Sequence, residues 1–397
     1  MMKRQKANPG GMLAPDEVVG RDALVAQLWR VLEKRGLYIT AERRMGKTSV
    51  VRDKMGKATP DGWALVYLDV SKAISLLQFI DALLQTCQIH LNTGSKAKFV
   101  FHKLAAKLSG LNIKAGLDIK LPDHLAPDWK TLLESLLSDL AVVQPRIVLA
   151  FDELPLMLDA IKRRPGGMEG EAQIMELLDT LRAARQEHDL RMIYTGSLGL
   201  HHVMTVLQEQ GYQNDPINDM QLIDLEPLTP EFATELARRL LHGESILCAD
   251  TEAVAAHLAH TTDGIPYYIQ HLVWDIAMRD DQATTAIVDS CLKTRLIDPL
   301  DPWRLTYYDN RIDTHYPASY RPVARAVLDQ LAIGQPQTLQ QLTEGINPTK
   351  IERSIETVRK VVTLLGLDHY ITREEQQYRF RSPFILRIWR NVRGTGE

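Results

Sequence analysis

Residues 41–49 read Ala-Glu-Arg-Arg-Met-Gly-Lys-Thr-Ser, and residues 146–153 read Arg-Ile-Val-Leu-Ala-Phe-Asp-Glu. The first stretch lacks only the leading glycine of the pattern G-x-x-x-x-G-K-[ST], with Ala41 standing there. Such a loop, set between a strand and a helix, turns backbone N–H groups and a helix N-terminus toward phosphate oxygens, and both favour negative charge. Lys47 is suited to lie against the β- and γ-phosphates of a nucleoside triphosphate, and the Thr48 hydroxyl to ligate Mg²⁺. In the second stretch an apolar run ends in two carboxylates. Asp152 is suited to hold the metal through its water shell, and Glu153 to align and deprotonate an attacking water. Each stretch alone has a plainer explanation: G-K-T by chance, or a strand end turning into solvent. On two predicted strands of one domain they support each other, and the chemistry they suit is Mg²⁺-assisted ATP hydrolysis.

Ala41 needs a reason. Glycine at that position allows backbone angles closed to other residues and a close approach of phosphate. Alanine is the smallest departure, so binding is expected to survive it.

The elements that position these residues follow from periodicity. The run Gly36 to Thr40 predicts a buried strand, Trp63 to Val70 a second, Ile147 to Phe151 a third, Arg191 to Thr195 a fourth and Met220 to Leu225 a fifth. Helical patterns lie between them, including one carried by Leu24, Leu28, Val31 and Leu32, and others over Ile74 to Leu91, Phe99 to Leu108 and Trp129 to Leu140. Residues 111–121 alternate with period two about Gly116, which predicts a hairpin inserted at about 110–122. Pro165-Gly166-Gly167 reads as a mobile loop. Apolar strands separated by helices predict an α/β fold: a parallel sheet with helices on both faces, its ligand at the carboxyl ends of the strands.

From Pro227 the alternation stops, and helical patterns over 231–241, 250–261, 267–278 and 283–296 predict a helical lid. Residues 299–317, rich in Asp, Pro and Tyr, read as a linker. The remainder predicts helices over Val323 to Ile333 and Thr338 to Glu344, then a third begun by Pro348. That third helix has Ile351, Ile355, Val358, Val362 and Leu365 on one face and Gly366 as its cap. A strand–turn–strand wing about residues 373–377 completes a winged helix. Its third helix is expected to expose Lys350, Arg353, Arg359 and Lys360, either as a groove-reading face or as ordinary solvated charge. The domains expected are a flexible lead-in over 1–14, a core over 15–226, the lid over 227–298, the linker, and the winged helix over 318–397.

With 397 residues the chain is long enough for two or three domains, and its 45% apolar and 24% charged composition is ordinary for a soluble protein. No apolar run approaches the ~20 residues of a membrane helix. The first residues carry charge without a following apolar core, so they do not read as a secretory signal. Cys87, Cys248 and Cys291 lack metal-ligand spacing and each falls in a predicted helix, which suggests buried thiols and a reducing cytoplasm. Residues 318–397 hold 12 Lys/Arg against 8 Asp/Glu, so they carry +4 while the rest carries −7 of the total −3. That asymmetry favours an anionic partner for the C-terminal part.

The chain resembles archaeal-type AAA+ ATPases, close to the STAND class of signal-transducing NTPases and to origin-recognition-like ATPases. Val19-Gly20-Arg21 is similar to the box that lines the adenine pocket in that group, and residues 42–48 to its arginine-rich P-loop. Phe151-Asp152-Glu153-Leu154-Pro155 is similar to its Walker B segment. Thr195-Gly196-Ser197 falls at the sensor-1 position, where a polar residue contacts the γ-phosphate, and Gly264-Ile265-Pro266 resembles a Gly-x-Pro motif whose proline packs near adenine. The resemblance implies a nucleotide-binding set of Val19, Gly20, Arg21, Ala41, Arg43, Arg44, Met45, Gly46, Lys47, Thr48, Ser49 and Pro266. It implies a catalytic set of Lys47, Asp152, Glu153 and Ser197, and Mg²⁺ on Thr48 and Asp152. ATP would be held between core and lid. Arg163, Arg164 and Arg185 are candidates for an arginine finger but read more simply as surface charges, and no sensor-2 arginine is evident. Asp368-His369 is similar to the histidine clamp of some STAND proteins, or is a plain turn.

Three functions are consistent with these features. The first is a cytoplasmic ATPase that switches shape between ADP and ATP states and repositions its winged helix. The second is a duplex-DNA-binding regulator or loader. The third is a nucleotide-binding scaffold of a defence or stress module, acting through a protein partner or as a homo-oligomer.

Overall fold

The structure is a computed structural model, and it describes residues 4–91, 121, 123–163, 168–196, 199–279, 281–334, 336–346 and 354–395. The expected helix over 99–108, the hairpin at about 110–122 (Leu121 aside) and the Pro165-Gly166-Gly167 loop lie outside these residues. The chain divides into two compact units, one of Ala14–Thr40 and Lys47–Leu225, the other of Met1–Leu13, Ala41–Gly46 and Glu226–Glu397. No helix among the described residues is long and apolar enough to cross a membrane.

The first unit is built on a parallel sheet of β1 (Leu37–Thr40), β2 (Trp63–Asp69), β3 (Arg146–Asp152), β4 (Arg191–Thr195) and β5 (Gln221–Asp224), in the order β2-β3-β4-β1-β5. Its helices are α1 (Asp22–Leu32), the π-wound α2 (Ser49–Met55), α3 (Leu76–Leu91), α4 (Trp129–Ala141), α5 (Leu154–Lys162), α6 (Met168–Glu187) and α7 (Leu200–Glu209). Strand alternation assigns the two faces. Ile147, Leu149 and Phe151 of β3 join the core formed with α3 to α7, where Phe151 meets Phe79 edge-on at 5.3 Å. Val148 and Ala150, equally buried, point to the other face. All five predicted strands are present.

In the second unit, α8 (Pro230–Gly243), α9 (Thr251–Thr261), α10 (Pro266–Ala277), α11 (Thr285–Leu296) and α12 (Tyr307–His315) precede α13 (Arg321–Ile333), β6 (Gln337–Thr338), α14 (Leu339–Gly345), α15 (Ile355–Leu367), β7 (Ile371–Glu374), β8 (Gln377–Phe380) and α16 (Pro383–Arg393). The three strands form an antiparallel sheet in the order β6-β8-β7.

Several expectations are corrected. The lead-in is not loose: the Gln5 amide donates to the Arg239 carbonyl, Ala7 N to Glu244 Oε1 at 2.7 Å and Asn8 N to Gln270 Oε1 at 2.9 Å. Residues 299–317 are not a bare linker, because they contain α12 and bury Trp303, Tyr308, Ile312 and Tyr316. Cys248 lies in a short bridge to Ala283 rather than in a helix. On α15, Val358, Val362 and Leu365 are buried as expected, but Ile355 is 49% exposed. Residues 347–353, which include Pro348, Lys350, Ile351 and Arg353, lie outside the described residues. Gly366 is inside α15. The left-handed residue that ends the helix is His369 (φ 64°), with Tyr370 N donating to the Leu365 carbonyl and His369 N to that of Gly366. That is the hydrogen-bond pattern a glycine usually closes.

Helix α16 was not foreseen, and it joins the parts of this unit. Ser382 caps it, and Asp263 from the turn before α10 accepts from Phe384 N at 2.6 Å and from the Ser382 hydroxyl. A carboxylate at a helix N-terminus is favourable. Trp389 donates through Nε1 to Asp329 of α13 at 2.9 Å.

Asp368 is fully buried. It accepts from the Arg311 guanidinium of α12 and from the Tyr316 hydroxyl, the latter at 2.6 Å. Removing one partner of a buried ion pair leaves an uncompensated charge, so Asp368→Ala should lower stability by about 3–5 kcal/mol. Chemical denaturation followed by circular dichroism measures this.

Candidate nucleotide site

The site residues of the first unit sit where chain order and sheet order bring strand ends together. β3 is flanked by β2 and β4, with Asp69 opposite Asp152 and Tyr194 opposite Phe151, so the last residues of the three strands are neighbours. Asp152 is 3% exposed and both of its carboxylate oxygens accept hydrogen bonds. Oδ2 accepts from the Thr48 hydroxyl at 2.7 Å and from the Tyr67 hydroxyl at 2.6 Å. Oδ1 accepts from the Thr195 hydroxyl and from Glu153 N, the latter at 3.1 Å. Burial, reinforced by Asp152, pushes the Tyr67 phenol well above its ordinary pKa, so it remains a donor. Lys47 is buried at 8% exposure, and Lys47 and Thr48 form the first turn of the helix that continues as α2.

Glu153 has left-handed backbone angles (φ 61°, ψ 30°) directly before α5. For a residue with a side chain that conformation costs about 1–3 kcal/mol and recurs at functional sites. The π winding of α2, immediately after Thr48, belongs to the same class of local irregularity.

The Val19-Gly20-Arg21 box is held by a contact that sequence reading missed. Lys54 of α2 donates to the Val18 carbonyl at 2.6 Å and to Asp22 at 3.0 Å. Val19 and Arg21 are buried, and Gly20 takes φ 70°.

Residues 41–46 belong to the second unit. Ala41 is buried and is not among the residues with positive φ; Arg44 (φ 75°) and Gly46 (φ 83°) are. The position occupied by Ala41 therefore demands no glycine conformation here. A Cβ on Gly46 would meet nothing within 4 Å, so the loop is open at that point. Met45 is buried. The Arg43 guanidinium lies 4.1 Å from the Tyr307 ring centroid, and that of Arg44 lies 4.1 Å from Tyr267 and donates to the Tyr268 hydroxyl at 3.0 Å. Such cation–π stacking contributes about 0.5–2 kcal/mol, depending on desolvation. Pro266 starts α10, which carries both tyrosines. Gly264 takes φ 69°, and a Cβ there would lie 2.3 Å from the Leu228 carbonyl oxygen, so the glycine of Gly-Ile-Pro has a packing reason of its own.

Other candidates resolve differently. Ser197 and Arg164 lie outside the described residues, and the described hydroxyl at the end of β4 is that of Thr195. Arg185 is not a surface charge. It is buried, bidentate to Asp219 at 2.7 Å and bonded to the Tyr194 hydroxyl at 2.5 Å, so it serves the core. Arg163 is half-exposed and pairs with Asp159 at 2.7 Å. His369 is buried against Arg381, with 2.5 Å between Nη1 and Nδ1. Tyr67 and Lys54 carried no motif; the sequence signal for Tyr67 was a polar tip in a largely apolar strand, and Lys54 was one of several charges in its helix.

The donor set fits a divalent ion. A threonine hydroxyl bonded to a buried carboxylate supplies one oxygen ligand and one acceptor for coordinated water, the sparse protein ligation Mg²⁺ prefers. The buried lysine at the start of a helix suits phosphate oxygens.

No protein-family model matches the chain, and no curated protein matches it. Among solved structures it is similar to a Walker-type ATPase of Pyrococcus abyssi, with TM-score 0.61, 17% identity, and 96% of this chain and 99% of that one covered. It is also similar to the ORC2 protein of Aeropyrum pernix, solved as ADPNP-ADP complexes, with TM-score 0.55, 11% identity and coverage of 99% and 98%.

His271 of α10 lies 4.3 Å from the Tyr267 ring and 5.7 Å from Trp303. Burial, helped by Arg44 and Arg295 and opposed by Asp275, lowers its pKa from 6.5 to about 4. The folded form thus keeps a neutral imidazole that the unfolded chain would protonate. Its stabilising contribution is full above pH 6.5 and is lost as pH falls toward 4. Denaturant midpoints at pH 7 and pH 4.5 should therefore differ less for His271→Gln than for the parent protein.

At identities this low the likeness is one of fold, and it agrees with the sheet: the chain shares with these two proteins a parallel five-stranded sheet with helices on both faces.

Proposed function

We propose that this protein is a Mg²⁺-dependent ATPase that acts as a switch, its nucleotide state repositioning the C-terminal winged helix. The observation that carries the ATPase part is the bond from the Thr48 hydroxyl to Asp152 Oδ2. It joins the residue after the lysine of the loop to the acid at the end of β3, two positions 104 residues apart. When bound, Mg²⁺ would withdraw charge from the β- and γ-phosphate oxygens. Lys47 would neutralise the same oxygens, Thr48 and Asp152 would orient the site, and Glu153, set apart from β3 by its left-handed backbone, would align the attacking water and take its proton. The catalytic set is then Lys47, Asp152 and Glu153, with Ser197 as the proposed γ-phosphate contact.

The switch part has its own support. Residues 41–46 of the phosphate loop are members of the C-terminal unit, anchored there by Arg43 on Tyr307 and Arg44 on Tyr267 and Tyr268. Movement of the loop with the γ-phosphate is therefore passed directly to residues that pack in that unit. Slow turnover fits this reading, since no arginine finger is supplied by Arg163 or Arg185.

The experiment is ATP binding and turnover by the parent protein beside two variants. Lys47→Ala should weaken nucleotide binding, and Glu153→Gln should retain binding while lowering turnover by about 100-fold or more. Unchanged turnover in Glu153→Gln would remove the base assignment.

A second reading, a duplex-DNA-binding regulator, is favoured by one observation: on α15, Arg359 (paired with Glu356 of its own helix) and Lys360 are exposed. If this helix reads DNA, affinity for a duplex should fall steeply with salt, and Arg359→Ala with Lys360→Ala should flatten the slope by roughly two units of log K per log salt. Salt-independent binding, or none, would exclude it.

A further inference from the structure

The carboxylate of Asp152 offers about four acceptor positions, and the structure fills them with Thr48, Tyr67, Thr195 and the Glu153 amide. Three of these donors belong to the ATP site already described or to its backbone. Tyr67 does not. It projects from β2 opposite Ala150 of β3, and it shares Oδ2 with Thr48: the two hydroxyls lie 2.6 and 2.7 Å from one oxygen. Its ring is 6.0 Å from the Arg52 guanidinium of α2, which is itself held by both oxygens of Asp53 at 2.7 and 2.9 Å. The phenol is thus kept in place from the α2 side.

A metal ion held by the Thr48 hydroxyl would reach Asp152 through a coordinated water, and that water would need a carboxylate lone pair to which to donate. We propose that the Tyr67 hydroxyl occupies the acceptor position on Asp152 Oδ2 that a metal-bound water requires, so that Tyr67 sets how much divalent cation the site needs. Two effects have the same sign. The phenol competes for the lone pair, and the proton it donates draws negative charge from the carboxylate that attracts the cation. Loading would then move the phenol off Oδ2, and Tyr67 is a positioning residue acting through Asp152. This inference rests on the ATP-site reading above.

The test uses Tyr67→Phe in the full chain, which removes one oxygen and keeps the ring. With saturating ADP, Mn²⁺ is titrated and the loss of its free-ion electron paramagnetic resonance signal gives the half-saturation point. A hydrogen bond to a charged group is worth enough that the variant should saturate at roughly fivefold less Mn²⁺ or below. Binding of fluorescent ADP in excess EDTA should be the same for both proteins, which a merely structural loss would not leave unchanged. Tyr67→Leu, with an unchanged melting profile as the check of folding, should show the same shift. Equal or weaker Mn²⁺ binding in both variants would overturn the inference while leaving the ATP site intact. A parent protein that binds neither Mn²⁺ nor ADP would overturn the ATP-site reading itself.

Discussion

A buried carboxylate needs donors, and Asp152 obtains them from strands β2 and β4, from the helix that starts at Lys47 and from its own following residue. Thr48 follows β1, Tyr67 lies on β2, Thr195 ends β4, and the amide comes from the residue after Asp152 itself. Leaving such a charge unsatisfied in the interior would cost several kcal/mol. The order β2-β3-β4-β1-β5 puts β3 beside both β2 and β4, so the acid meets donors on either side. The register must also be right, because a shift by one residue would turn Tyr67 or Thr195 to the opposite face of the sheet. The same network that satisfies the charge fixes the Thr48 hydroxyl 2.7 Å from Asp152 Oδ2.

The C-terminal unit solves a similar problem with different means. Asp368 and Arg311 are both buried and far apart in sequence, and Tyr316 satisfies the carboxylate further. Tyr370 lies across from Tyr308 at 6.1 Å and against Trp389 at 6.2 Å, so α12, the end of α15 and α16 share one aromatic core. Within that unit Arg43 and Arg44 rest on tyrosine faces rather than in water. A guanidinium stacked on an aromatic ring keeps its N–H edges available for further hydrogen bonds, as Arg44 shows by donating to the Tyr268 hydroxyl.

What could be read in advance followed the local patterns. The five strands were legible because each is a short apolar run bounded by turns, and the loop after β1 and the acids after β3 because their residue types are tied to chemistry. The elements that escaped were those whose cause is remote. Residues 299–317 looked like a linker because Asp and Pro break helices, yet Trp303 and Tyr316 had burial partners that only the fold supplies. The lead-in looked free because its amides find Glu244 and Gln270 some 240 and 260 residues on. Arg185 looked like surface charge because Asp219, its partner, is 34 residues away. Gly366 looked like a cap by residue type, while the hydrogen bonds assign that place to His369.

By itself the sequence determined the fold class, the positions of the strands, and the identity of the lysine, threonine and paired acids, since periodicity and residue chemistry act within a few positions along the chain. Tertiary structure decided which hydroxyls reach Asp152, that Ala41 needs no glycine angles, and that Arg43 and Arg44 lie on tyrosines. Those outcomes depend on strand order, register and burial, where a contact across hundreds of residues outweighs any local preference.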